Sequence, residues 1–207
     1  MDTKTHWEKV YATKSPNETS WYTPHLQTSF DWIVTALPDR TAAVLDVGGG
    51  ESTLVDDLLA AGYRNLTVLD LAQSALEKSR HRLGPDAASV HWLDGDVTTV
   101  PLPARAFDVW HDRAVFHFLT EPAQRQAYVR QFATALKPGG TVILATFALD
   151  GPEKCSGLET QRYDAKSLTQ ELGPHFTLGR TERVLHQTPF GTTQSFLYCQ
   201  FRFDPAE

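Results

Sequence analysis

The residues best suited to chemistry in this sequence are Asp46, Gly48, Gly49 and Gly50 in the stretch Val44-Leu-Asp-Val-Gly-Gly-Gly-Glu-Ser-Thr53, Asp70 at the end of Leu66-Thr-Val-Leu-Asp70, and the triplet His111-Asp112-Arg113. Consecutive glycines clear side chains from a turn, so that a ligand can lie directly against main chain. Ser52 reads as an N-cap, and Leu54, Val55, Leu58 and Leu59 follow at helical spacing, so the loop would deliver its ligand to a helix amino end. Asp70 lies about 20 residues beyond the loop, where an acid can accept both hydroxyls of a ribose. Asp46 interrupts an apolar strand, and at a strand tip it disfavours phosphate and favours a cationic or amine-bearing ligand. The dinucleotide fingerprint would put a third glycine where Thr53 stands. The ribose signal survives and the pyrophosphate signal is weakened.

Strands and helices must alternate to hold these residues at one edge. Residues 24–37 read as an amphipathic helix with Leu26, Phe30, Ile33, Val34 and Leu37 inward. After the glycine loop come a strand ending at Asp70, a helix from near Ala72 to Leu83 stopped by Gly84, a strand over Val90-His-Trp-Leu93, and a strand over Ala106-Phe-Asp-Val-Trp110. His111, Asp112 and Arg113 follow that last strand directly, where ligands sit in open α/β sheets. Thr120-Glu-Pro starts a helix with Tyr128, Phe132 and Leu136 on its apolar face, and Thr141 to Phe147 is uniformly apolar, as in a strand buried on both faces. The loop 148–163 is long enough to suggest a functional role, Asp164 to Leu172 reads as a helix, and 176–187 and 193–203 read as an antiparallel hairpin. Cys199, alternating with Leu197, Phe201 and Phe203, is a core residue.

Composition narrows the class. The 207 residues are 41% hydrophobic and no linker-like run interrupts them, so one domain over 1–207 is expected: an N-terminal segment 1–40, a ligand-binding core 41–147, and a region 148–207 with the long loop and the hairpin. Lys and Arg number 19 against 25 acids, with no basic run, which disfavours extended nucleic-acid binding. Two cysteines build neither a disulfide framework nor a four-ligand metal site. The start lacks a signal-peptide core and no run approaches a membrane span; a soluble, cytoplasmic protein is expected.

The strand followed by D-x-G-x-G (Asp46, Gly48, Gly50) and the acid ending strand two (Asp70, with Leu71 next) resemble the class I S-adenosylmethionine-dependent methyltransferases. The resemblance implies a doubly wound, mostly parallel seven-stranded sheet with a C-terminal antiparallel hairpin, S-adenosyl-L-methionine as cofactor, S-adenosyl-L-homocysteine as product, and no metal. It implies that Asp96 accepts from the adenine amino group while the Val97 amide reads a ring nitrogen; the alternative is a turn carboxylate capping its own backbone. Trp7 and Trp21 either close a lid over the sulfonium and adenine or pack an N-terminal helix onto the sheet. His111 either contacts the methionine moiety or, like His117, is a candidate base, with Asp112 as orienter and Arg113 holding a carboxylate. His117, among Val115, Phe116 and Phe118, is more simply a packed residue.

For the acceptor, the triplet, the tryptophan-bearing amino end and the small size resemble the thiopurine and chalcogen branch of small-molecule methyltransferases, implying a thiol, sulfide or selenium compound. Such an anion needs little base catalysis, and Lys154 and Arg162 could attract it. Cys155 alone argues against arsenite. Protein lysine methylation is the competing reading, with Asp112, Asp150, Glu153 and Glu159 as an acidic mouth; a non-catalytic cofactor-binding protein is the third.

Overall fold

The computed structural model describes residues 3–205, so the outermost two positions at each end of the expected domain lie outside the described residues. In chain order the elements are α1 (Thr3–Thr13), α2 (Gln27–Ala36), β1 (Val44–Val47), α3 (Leu54–Ala60), β2 (Leu66–Asp70), α4 (Gln73–Leu83), β3 (Val90–Asp94), β4 (Phe107–Arg113), α5 (Pro122–Ala135), β5 (Leu136–Phe147), the short pair β6 (Lys154–Cys155) and β7 (Leu158–Glu159), α6 (Ala165–Leu172), β8 (Phe176–Gln187) and β9 (Thr193–Phe203). The main sheet has seven strands in the order β3-β2-β1-β4-β5-β9-β8. Its first five strands are parallel, and β9 and β8 run antiparallel, as the C-terminal hairpin requires. This is the class I methyltransferase fold.

Each face of the sheet carries its own core. On one, Tyr128 and Phe132 of α5 and Leu168 and Leu172 of α6 pack on Trp110, Leu144, Phe176 and Phe203. On the other, Trp32 and Ile33 of α2, Leu54 and Leu58 of α3, and Leu76 of α4 pack on Val44, Val68, Val109 and Ile143. Residues of β1 and β2 are buried throughout, which is why neither strand alternates apolar with exposed polar residues, and Asp46, Thr67 and Asp70 are buried with the rest.

Several boundaries differ from the periodicity reading. The α3 N-cap is Thr53, and the Ser52 hydroxyl instead accepts from the Leu54 amide at 3.1 Å. In α2 the inward face centres on Ser29, Trp32 and Ile33, with Leu26 just before the helix; Phe30, Val34 and Leu37 are only half-buried. Strand β4 does not stop at Trp110 but continues through Arg113, pairing Asp46 with His111 and Val47 with Asp112. Three polar residues are tolerated there because other elements supply their partners. The 148–163 loop folds back as the β6–β7 hairpin, whose turn residues Ser156 and Gly157 both have positive φ.

The N-terminal segment is fixed by an exchange of helix caps. The Glu8 carboxylate accepts from the Gln73 and Ser74 amides, at 2.7 and 3.2 Å, filling the exposed donors at the amino end of α4. In return Lys78 of α4 donates to the Tyr11 and Lys14 carbonyls, at 2.6 and 3.2 Å, at the carboxyl end of α1, and pairs with Glu51 at 2.7 Å. The helices are thus tied to each other at two points, and Trp7 and Tyr11 are held beside Ala72 and Ala75. Glu8→Ala and Lys78→Ala should each lower stability by about 1 kcal/mol in urea unfolding. Because both ties hold the same helix, the double variant should lose less than the two single losses added together.

Candidate functional site

The glycine loop brings the strand tips together by having no side chains of its own. Gly48 and Gly50 adopt φ of +69° and +25°, where L side chains are strained. A Cβ on Gly48 would meet Val115 Cγ2 at 2.1 Å, one on Gly49 would meet Asp46 Oδ2 and Val68 Cγ1 at 2.6 Å, and one on Gly50 would meet Asp70 Oδ2 at 2.8 Å. The acids of β1 and β2 and the turn after β4 therefore close in on bare backbone.

Two adjoining cavities open there, of about 60 and 170 Å³, and Tyr11, Trp21, Val47, Gly48 and Arg113 border both. Asp46, Gly49, Glu51, Ser52 and His111 line the smaller one. The larger takes Asp70, Leu71, Asp96 and Val97 from the β2 and β3 side, and Phe118, Phe147, Phe196 and Cys155 from the opposite side. The strand order gives this polarity, since β2 and β3 lie on one side of β1 and β5 and β9 beyond β4. Trp7 and Trp21 meet edge to face at 5.6 Å, and Trp7 meets Phe118 at 5.1 Å, so the N-terminal segment forms an aromatic wall of the larger cavity.

Individual side chains divide sharply in what they can do. Asp70 is buried and hydrogen-bonded by the Ala72 amide at 2.8 Å, yet burial pushes it up to about 7, with the amides of Ala72 and Gly50 pulling the other way. Ionised, it is an acceptor facing a cavity. The Asp96 carboxylate spends Oδ1 on the Thr98 amide and hydroxyl, at 2.8 and 2.7 Å, so the turn cap is made, while its position on the cavity wall leaves the second oxygen for a ligand.

The triplet at the end of β4 is split by the alternation of the strand. The His111 ring lies between Asp46, at 2.7 Å from Nδ1, and Ser29, at 2.8 Å from Nε2. Asp112 points to the opposite face, accepting from the Val115 and Phe116 amides at 2.8 and 2.9 Å and from the Tyr128 hydroxyl. It holds the turn after β4, where Ala114 has φ of +72°, and its hydrogen-bond partners are not those of His111. Burial raises it to about 6 against those hydrogen bonds. Arg113 alone reaches the junction of the cavities, donating to the Trp21 carbonyl at 3.1 Å with its guanidinium 4.6 Å over the Phe196 ring.

His117 is fully buried, its ring 4.3 Å from that of Phe147 at a tilt of 31°, and the Phe147 amide donates to Nδ1 at 3.2 Å. Burial, then the Arg113 charge, lowers it to about 3, so the ring is neutral. In the long loop, Lys154 pairs with Glu159 at 2.7 Å and Arg162 with Glu153 at 2.9 Å, while Arg183 holds Asp150. Neither the cations nor the acids of that loop are unengaged. Cys155, nearly sealed, lies 3.8 Å from the Ser20 hydroxyl, and burial raises its thiol.

Reading the sequence missed Ser29, Tyr11 and the aromatic trio Phe118, Phe147 and Phe196. Ser29 could have been found, because it stands at the centre of the apolar stripe of Leu26, Trp32 and Ile33. The trio could not, because it combines a turn with two strands distant in sequence.

Residues 44–140 match the family model described as a methyltransferase domain. The ubiquinone/menaquinone biosynthesis C-methyltransferase of Roseobacter denitrificans is 31% identical over 121 residues, 57% of this chain and 46% of that protein. The chain thus spans about half the length of that curated relative. Among solved structures, one described under the conversion of a disulfide bond into a thioacetal group during echinomycin biosynthesis aligns with a TM-score of 0.79 at 19% identity, covering 98% of this chain and 94% of that one. The 1,6-didemethyltoxoflavin-N1-methyltransferase of Burkholderia thailandensis, with 1,6-didemethyltoxoflavin and S-adenosylhomocysteine bound, aligns with a TM-score of 0.70 at 21% identity, covering 98% of this chain and 84% of that one.

The buried acids set a pH dependence. Asp70 and Asp112 hold protons more tightly folded than unfolded, so as pH rises from about 4 toward their folded values of about 7 and about 6 the native state loses the advantage, and stability falls. Asp70→Asn should flatten this slope in urea unfolding of the ligand-free protein across that window. An unchanged slope would mean that Asp70 is not desolvated.

Proposed function

We propose that this chain transfers a methyl group from S-adenosyl-L-methionine to a small soft nucleophile such as a thiol, sulfide or selenium compound. The cavity fits that cofactor: a glycine loop with no room for a Cβ, a buried carboxylate at Asp70, and a second acid beside a buried apolar residue at Asp96 and Val97. Asp70 accepts the ribose hydroxyls, Leu71 borders the nucleoside, Asp96 accepts from the adenine amino group and the Val97 amide donates to the ring. Asp46 and the main chain of Gly48 to Gly50 take the amino-acid end in the smaller cavity, while Trp21 covers the junction and Trp7 the larger cavity. The bound cofactor supplies an already activated methyl on a sulfonium, so the protein has chiefly to align the acceptor.

The character of the apolar end carries the choice of acceptor. Phe118, Phe147, Phe196 and Cys155 line it, and Arg113 is the cation that reaches it. Among the described residues on this side, none is poised to take a proton: His117, behind Phe147, is neutral with its Nδ1 engaged, and the Cys155 thiol is held protonated. An acceptor already ionised near neutral pH needs no base and is drawn by Arg113. Lys154 and Arg162, each paired, leave that role to it. The same cation repels a lysine ammonium, and the acids Asp150, Glu153 and Glu159 are occupied by their own partners, which counts against the lysine reading.

Asp70→Ala should weaken S-adenosylhomocysteine binding by roughly 1.5–3 kcal/mol in calorimetry, the worth of hydrogen bonds to a charged group; unchanged affinity would remove Asp70 from the site. The acceptor is tested with methyl-labelled S-adenosylmethionine and a desalted lysate, with and without sulfide and small thiols. Label in the volatile or small-molecule fraction that depends on added thiol is the expected result. Label confined to one protein band would replace this reading with lysine methylation.

A further inference from the structure

Asp46 does not stand alone at the tip of β1. Its Oδ1 lies 2.7 Å from His111 Nδ1, His111 Nε2 lies 2.8 Å from Ser29 Oγ, and Ser29 Oγ lies 3.1 Å from the Tyr198 hydroxyl. The four residues come from β1, β4, α2 and β9, and every one is buried. They form an unbroken polar line through an otherwise apolar core in which Trp32, Ile33, Val109 and Ile143 are sealed. A buried polar line of this kind is costly unless each member is satisfied.

The donors and acceptors can be ordered in one way that leaves no member short. An ionised carboxylate only accepts, so His111 Nδ1 must carry a proton. With a neutral ring, Nε2 accepts from the Ser29 hydroxyl, and Ser29 Oγ accepts from the Tyr198 hydroxyl. Were Nε2 also protonated, Ser29 would have to donate to Tyr198, and the Tyr198 hydroxyl, which meets only Ser29 among the described residues, would be left with a buried, unused proton. The line therefore runs Tyr198 to Ser29 to His111 to Asp46. It ends on a carboxylate whose Oδ1 is committed and whose Oδ2 lies against Gly49 on the wall of the smaller cavity.

Resting on the cofactor reading above, we infer that Tyr198, Ser29 and His111 are positioning residues that hold the Asp46 carboxylate in one rotamer, aimed at the amino group of the cofactor's amino-acid end. None of the three needs to contact the ligand's ammonium. They act by fixing the rotamer and hydrogen-bond state of the one acid that does, as outer partners do for metal-ligating histidines. The distant Tyr198, on the far side of the sheet's parallel part, thereby bears on affinity at the glycine loop.

The test separates this role from general packing by comparing two ligands, S-adenosylhomocysteine and 5′-methylthioadenosine, which keeps the nucleoside and thioether but lacks the amino-acid part. In calorimetry, Ser29→Ala should weaken S-adenosylhomocysteine about tenfold and leave 5′-methylthioadenosine within about twofold of the unsubstituted protein. Tyr198→Phe, which removes only a hydroxyl, should act in the same direction and to a smaller extent, and provides the readout if Ser29→Ala fails to fold. Equal losses for both ligands, or no loss for either, would reduce the line to core packing and overturn the inference. If the unsubstituted protein bound neither ligand, the cofactor reading itself would fail, and the inference with it.

Discussion

Three carboxylates buried in one sheet impose the constraint to which the rest of the structure answers. Asp46, Asp70 and Asp112 are 5%, 6% and 0% exposed, and a carboxylate so far from water must be hydrogen-bonded, protonated, or facing a ligand that replaces water. Each finds a different solution. Asp112 is closed off by two amides and a tyrosine, and it fixes the turn after β4. Asp46 is shared between a histidine and a cavity. Asp70 is less compensated than Asp112, so burial raises it further, and it belongs with the wall of the larger cavity. The positions of the glycines beside Asp46 and Asp70 and the splitting of the triplet between the two faces keep these acids close without letting them meet.

The parts legible in the sequence were those set by local spacing. The glycine loop, Asp70, the stop at Gly84, the Asp164 cap of α6 and the terminal hairpin all depend on neighbours within a few residues, and the structure contains them. What could not be read depended on partners far away. His111 and Asp112 look like loop residues in a linear string because polar side chains in a parallel strand need partners, and theirs come from Asp46, Ser29 and Tyr128. The N-terminal aromatic residues gave no direction for their segment, because that direction is set by Glu8 and Lys78 acting across more than sixty residues. The long loop hid its hairpin because a two-residue turn with two paired residues on each side carries no periodicity.

The sheet order explains why one cavity has two temperaments. Strands β2 and β3 offer acids and amides, β5 and β9 offer phenylalanines, and β1 and β4 lie between them with the glycines and Arg113. A ligand that is polar at one end and reactive in the middle can therefore lie across the strand tips and present its centre to an apolar chamber. The N-terminal segment borders that chamber with the rings of Trp7, Tyr11 and Trp21 rather than with charges.

The outermost strand, β8, has a different bearing. It is twelve residues long and lies at the edge of the sheet, so one row of its backbone donors and acceptors has no neighbouring strand. An edge of that length would be a template for another chain if it were flat and apolar. Instead Arg180, Glu182 and Arg183 stand along its exposed middle, Arg180 pairs with Glu182 and Arg183 with Asp150, and the register with β9 shifts between Leu178 and Arg180. A foreign strand approaching that middle stretch would have to strip water from these charges and match a local irregularity, two features that disfavour pairing there.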